Sequence, residues 1–156
     1  MTAVWVVGCG YVGERVARAE QAEGCDVTAL VRTAQSVSQL HTRNIRAVMC
    51  DLDQVSLPVL PMADAVVYYF VPPPPHAATD PRLRGFLSAL DNQSRPRRLI
   101  LISTTGVYGN CHGEWVAESR PAHPEAERAR RRWDAEQAAR DWSEKSGVPV
   151  VILRVP

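Results

Sequence analysis

The chain has 156 residues, a net charge of +1 at neutral pH, 22% charged residues and 46% hydrophobic ones. That length is one domain's worth, enough to bury about 68–70% of the unfolded surface without staples. So balanced a charge offers nothing to nucleic acid or an anionic membrane, and neither is expected as a partner.

Val4 to Val7, around Trp5, form a short apolar run of the kind that makes a strand buried on both faces. Gly8, Gly10 and Gly13 follow as G-x-G-x-x-G, leading into a segment that reads as helix. Gly8 permits the tight turn, Gly10 lets the backbone approach a pyrophosphate, and Gly13 lets the helix pack closely on the sheet. The phosphates would rest on the first-turn amides at Tyr11 and Val12, at the positive end of the helix dipole. This helix is expected over Tyr11 to Glu23, stopped by Gly24, with Val12, Val16 and Ala19 as apolar marks and Glu20 misplaced among them.

Val27 to Val31 read as a second strand ending at Arg32-Thr33, Ser36 to Arg43 as a short helix, and Ile45 to Met49 as a third strand. An acid at the end of the second strand would accept from a ribose 2′-hydroxyl and favour NAD, whereas an arginine suits a 2′-phosphate. Arg32 therefore points to NADP as the preferred cofactor over NAD. Asp51 either accepts from the adenine amino group, with Leu52 against the ring, or caps a short turn.

Ala65 to Val71 form the clearest later strand, and Pro72 to Pro75 take the chain out of the sheet. Val71 and Pro72 thus fall beside the expected cofactor. Asp80-Pro81 starts a helix running to about Leu90. Leu99 to Ile102 is the fifth strand, Glu125 to Ser146 a long helix, and Val148 to Leu153 the sixth strand. Alternating strands and helices imply an α/β doubly wound parallel sheet, a Rossmann fold of order 3-2-1-4-5-6 in a single domain over residues 1–156. Ligands in such sheets bind beyond the carboxyl ends of the strands.

At the end of the fifth strand stand Ser103, Thr104, Thr105 and Tyr108. Their hydroxyls can polarise a substrate carbonyl or serve as ordinary turn formers. Arg128, Arg130, Arg131 and Arg132 read as a solvated helix face balanced by Glu125, Glu127, Asp134 and Glu136. Cys9, Cys25, Cys50 and Cys111 lack disulfide or zinc spacing, and Cys111-His112 has no further ligands, so no metal is expected. No basic region precedes the first apolar run, and no run is long enough to span a bilayer. A cytoplasmic protein is the expectation.

Val-Val-Gly-Cys-Gly-Tyr-Val-Gly at 6–13, Asp51-Leu52 and Ser-Thr-Thr-Gly-Val-Tyr-Gly at 103–109 together resemble the extended and atypical short-chain dehydrogenase/reductases. The nearest likeness is to the NAD-dependent epimerase/dehydratase group, nucleoside-diphosphate-sugar epimerases among them. The resemblance implies a bound NADP or NAD and a carbonyl or nucleotide-sugar substrate. It also implies that Thr104 is the catalytic Ser/Thr, with Tyr108 as a possible proton donor. Val7 replaces the first glycine of the extended members' motif. The family's Tyr-x-x-x-Lys pair is absent; by register from Glu136 its places fall on Arg128 and Arg132. Arginine cannot serve as a general acid, its pKa being above about 12, but it can hold a phosphate or carboxylate. Family members continue past the sixth strand into a substrate lobe, and this sequence stops at Pro156. The Gly-Cys-Gly-Tyr-Val-Gly stretch also resembles nucleotide-sugar 6-dehydrogenases, against which Arg32 argues. The expected function is an NAD(P)-binding oxidoreductase or epimerase-like protein. The alternatives are a non-catalytic NADP sensor or partner-docking module, or an inactive remnant.

Overall fold

The computed structural model describes residues 1–90 and 93–156. It holds six parallel strands: β1 (Ala3–Val7), β2 (Asp26–Val31), β3 (Arg46–Met49), β4 (Val66–Tyr69), β5 (Arg98–Thr104) and β6 (Val150–Val155). Their order is β3-β2-β1-β4-β5-β6, the doubly wound sheet expected from the alternation of elements. The helices are α1 (Tyr11–Ala22), α2 (Ala34–His41), α3 (Pro81–Ala89) and α4 (Glu127–Ser146), with a 3-10 turn at Thr105–Tyr108.

The sheet divides two apolar clusters. On one face Val4, Val6, Val27 and Ala29 pack with Ala17 of α1 and Leu40 of α2. On the other Val7, Val67, Tyr69, Leu99 and Leu101 pack with Leu83 and Phe86 of α3 and Ala135 and Ala139 of α4. β1 and β2 are buried on both faces, which is why they read as near-continuous apolar runs, whereas β4 and β5 bury one face fully and the other in part.

Two helices depart from the sequence expectation. In α1, Val12 and Ala19 are exposed, and the buried residues are Gly13 and Ala17. A Cβ on Gly13 would meet the Gly8 carbonyl oxygen at 2.6 Å, so this glycine fixes how closely α1 lies on β1. Glu20 turns out to be no misfit: it accepts from the Tyr68 hydroxyl of β4 and from the Cys25 thiol. Gly24 ends the helix as expected, with φ of +79°.

The expected solvated face of α4 is the second departure. Glu136 is completely buried, and Asp134 accepts from the Asp80 backbone amide at 2.9 Å and from Arg84. Arg131 and Arg132 are half-buried, leaving Arg128 and Arg130 in solvent. The buried residues of α4 are Ala129, Ala135, Glu136, Ala138 and Ala139, a stripe of small residues around a charge. Such a stripe carries almost no apolar periodicity, so the sequence reads as polar all round.

β5 and β6 also run further than expected, to Thr104 and Val155. The added ladder pairs Ser103 with Arg154 and Thr104 with Val155. Ser103 and Thr104 are therefore strand residues with alternate faces, and Thr104 also caps the 3-10 turn through its hydroxyl, the turn-forming role its residue type allows.

Candidate cofactor site

The carboxyl ends of β1, β2 and β4 meet at Gly8. Its φ is +86°, and an added Cβ would lie 2.8 Å from Val71 Cγ2, so the turn admits only glycine. Gly10 is different. Its φ is ordinary for any residue, and a Cβ there would meet nothing within 4 Å. Nothing in the packing of the protein itself calls for glycine at position 10. Gly10 is also the N-cap of α1 and caps it with no side chain, leaving first-turn amides directed at this open space.

Two cavities flank the turn and share Gly8, Gly10 and Phe70. The first, of about 400 Å³, lies over β1 to β3 and is lined by Leu30, Arg32, Ser36, Asp51, Leu52, Asp53, Val71, Pro72 and Arg82. The second, of about 390 Å³, lies over β4 and β5 and is lined by Tyr11, Val12, Gly13, Ile102, Ser103, Thr104 and Arg132. A dinucleotide laid across Gly10 would place one nucleotide in each.

The first cavity has balanced charges. Arg32, two-thirds exposed, has Nε 3.7 Å from Asp51 Oδ1 and Nη1 3.6 Å from Asp53 Oδ2. Arg82 of α3 binds Asp53 through both carboxylate oxygens, at 2.6 and 2.7 Å, and donates to the Pro72 carbonyl at 3.0 Å. That hydrogen bond, first among the causes, and the charge of Arg82 hold Asp53 below the ordinary carboxylate range. Asp51 also accepts from the Asp53 amide at 3.1 Å, the turn-capping arrangement anticipated as the alternative to adenine recognition. Its place on the lining leaves adenine contact open as well. Asp53, Ser36 and Arg82 also line this cavity, and no sequence motif marks them. Asp53 and Arg82 stand 29 residues apart, and no local pattern links them.

Thr104 and Tyr108 part company. Thr104 lines the second cavity, with Oγ1 accepting from the Gly106 amide at 3.1 Å. Tyr108 is buried, its ring beneath the Arg154 guanidinium at 4.7 Å, and lines a third cavity along β6 together with Thr105. Ser103 is committed elsewhere: its hydroxyl donates to Glu136 at 2.6 Å. Of the four hydroxyls, Thr104 is the one that faces the glycine turn with its side chain uncommitted as a donor.

Cys9 lies on the first cavity, and burial, assisted by the nearby Glu14 carboxylate, pushes its thiol up to about 11. No group of three or more His, Cys, Asp or Glu among the described residues could hold a metal ion. No helix among them is long and apolar enough to cross a membrane.

The fold and the glycine turn are those of dinucleotide-binding domains, and the comparisons agree. A family model described as NAD(P)H-binding matches residues 8–156, and the chain belongs to that family. Its fold is that of the epimerase/dehydratase-like short-chain dehydrogenase/reductases. A UDP-galactose 4-epimerase structure superposes with a TM-score of 0.82 at 17% identity, covering 98% of this chain and 55% of that one. The Bacillus cereus UDP-glucuronic acid 4-epimerase in complex with NAD gives 0.79 at 18%, covering 98% and 56%. An Agrobacterium tumefaciens short-chain dehydrogenase/reductase superfamily protein with bound NAD gives 0.75 at 20%, covering 97% and 48%. The chain thus spans about half the length of these structures. Among curated proteins, no sequence matches this one.

Proposed function

We propose that the chain binds NADP(H) across Gly10, with the adenosine half over β1 to β3 and the nicotinamide half over β4 and β5. In this reading it is the cofactor domain of an oxidoreductase or epimerase-like protein acting on a carbonyl or nucleotide-sugar substrate. The observation that carries it is Gly10: a glycine with ordinary φ, at an uncapped helix start, with open space above it and a cavity on either side. Bound there, the cofactor would supply hydride chemistry. The first-turn amides of α1 would hold its phosphates, and Leu52 and Val71 would cover its apolar surfaces. Arg32 would meet the 2′-phosphate. Its long, exposed contacts with Asp51 and Asp53 are worth little in water, so the guanidinium can turn to a better partner. Thr104 would donate to a substrate oxygen in the second cavity.

A second reading, a cofactor-binding module without catalysis, is supported by the position of Tyr108, which lines a cavity that does not include the glycine turn. The one phenol on the second cavity is Tyr11, at the exposed start of α1 and away from the long helix that carries the family's proton donor. Titration with NADPH and NADH, read by nicotinamide fluorescence, tests the shared premise. NADPH binding tighter than NADH is expected, and no binding of either would reject both readings.

A further inference from the structure

The two cavities beside the glycine turn differ in charge. The first carries two arginines against two aspartates; the second carries one charged side chain, Arg132. Every acid near Arg132 on α4 is already taken. Asp134 is held by Arg84 at 2.6 Å, and Glu136 by Arg154 at 2.7 Å and Arg140 at 3.0 Å. Arg132 itself makes one long hydrogen bond, from Nη1 to the Ile102 carbonyl at 3.4 Å, and no carboxylate lies within ion-pair distance of it among the described residues. The buried Asp80 carboxylate and the Tyr69 phenol act on it only from further away. Burial lowers its pKa from the ordinary arginine value, but a guanidinium stays charged at neutral pH. A half-buried cation whose fork of donors is largely unspent is costly unless an anion meets it.

We propose that the second cavity receives an oxyanion group of the substrate, a carboxylate or a phosphate, and that Arg132 is the residue that binds it, beside Thr104. A planar guanidinium grips either group through paired N–H bonds, and the positive end of α1 opens into the same cavity. The substrate class narrows accordingly to carbonyl or alcohol compounds bearing an acidic group. The identity of the neighbouring ligand rests on the cofactor reading above; the anion site itself does not.

The test uses the full chain, free and saturated with NADP⁺, titrated with malonate and with inorganic phosphate. Binding is followed by calorimetry and by the Nε–H resonance of Arg132. At least one of the two anions should bind and move that resonance, and the better one names the group. Arg132→Gln should weaken it by about 10–100-fold, the range expected for losing a charged hydrogen-bonded contact. Arg132→Lys should keep part of the affinity, and Arg128→Gln, in solvent, should keep all of it. NADP⁺ affinity should change less than about threefold, since a role confined to the substrate leaves the cofactor's contacts intact. Failure of both anions to bind, or equal binding to Arg132→Gln, would overturn the proposal. So would parallel loss of NADP⁺, which would assign Arg132 to the cofactor's own phosphates. If NADP⁺ does not bind the wild-type chain, the cofactor reading fails, and the anion site is judged on the titrations of the free chain. Should Arg132→Gln not fold, the wild-type resonance still decides.

Discussion

Glu136 of α4 and Arg154 of β6 form a buried, two-pronged ion pair, with Arg154 Nε 3.0 Å from Oε1 and Nη2 2.7 Å from Oε2. Ser103 donates to the same carboxylate, so one buried acid fastens the ends of β5 and β6 to α4. Replacing Glu136 by Gln removes the charge and leaves Arg154 uncompensated. Breaking such a pair by removing one partner costs about 3–5 kcal/mol. Urea unfolding should show a loss of that size, and a loss below about 1 kcal/mol, the size of an exposed pair, would show that the network is peripheral.

The same pair predicts an acid-side dependence. Burial is the largest single influence on Glu136 and would raise its pKa. The hydrogen bonds from Arg154 and Ser103 and the arginine charges outweigh it, so the carboxyl sits below its ordinary value. A group depressed in the folded state contributes stability above its unfolded pKa of about 4.3 and loses it as pH falls through the folded value. Asp53, lowered first by its hydrogen bond from Arg82, acts in the same direction near pH 4. Stability measured from pH 7 to pH 3 should therefore fall below about pH 4.3, and more shallowly in Glu136→Gln. An identical slope in the variant would contradict the assignment.

The difference between what was legible in the sequence and what was not follows from range. The strand order could be read because alternating apolar runs and helix stops such as Gly24 are local signals. The glycine turn could be read because three glycines in six residues carry their own geometry. Glu136 looked like surface because its neighbours on the buried stripe are alanines, which leave no periodicity. Arg82 could not be connected to Asp53, nor Arg132 to Ile102, because those contacts form only when α3 and α4 dock. Thr104 and Tyr108 looked like one group because they are four residues apart; the extra ladder rungs of β5 and the 3-10 turn send them to separate cavities.

Arg32→Ala should discriminate between the cofactors. Only NADPH carries the 2′-phosphate, so NADPH binding should lose about 1.5–3 kcal/mol while NADH binding barely changes. Paired titrations of the two cofactors provide the check, and equal weakening would show that Arg32 acts only through Asp51 and Asp53.

Cys9 should be slow to alkylate near neutral pH. Its thiol is pushed up to about 11, so labelling by iodoacetamide should climb steeply only as pH approaches that value. Because Cys9 lines the first cavity, NADPH should protect it. Mass spectrometry of the labelled peptide gives the rate, and fast labelling at pH 7 unaffected by NADPH would argue against a cofactor over that turn.

Turnover by this chain alone should be slow. Tyr108 lies under Arg154 on a cavity apart from Thr104, and a positioned proton donor is worth roughly 10²–10⁴-fold. NADPH oxidation against aldehydes, quinones and nucleotide sugars should remain near background. Brisk turnover that collapses in Thr104→Ala or Tyr108→Phe would show that the two hydroxyls do act together on a substrate.

Thermal unfolding of wild-type and Gly10→Val chains tests most directly whether a dinucleotide crosses the backbone at Gly10. A Cβ at position 10 meets nothing within 4 Å beyond its own chain neighbours, so valine should leave the fold intact while filling the space the pyrophosphate needs. At 100 times its dissociation constant NADPH should stabilise the wild-type chain by about 2.7 kcal/mol, a rise of several degrees in Tm at roughly 2–4 °C per kcal/mol. The variant should melt near the free wild-type temperature with or without NADPH. An equal rise in the variant, or no rise in the wild-type chain with either NADPH or NADH, would contradict the account.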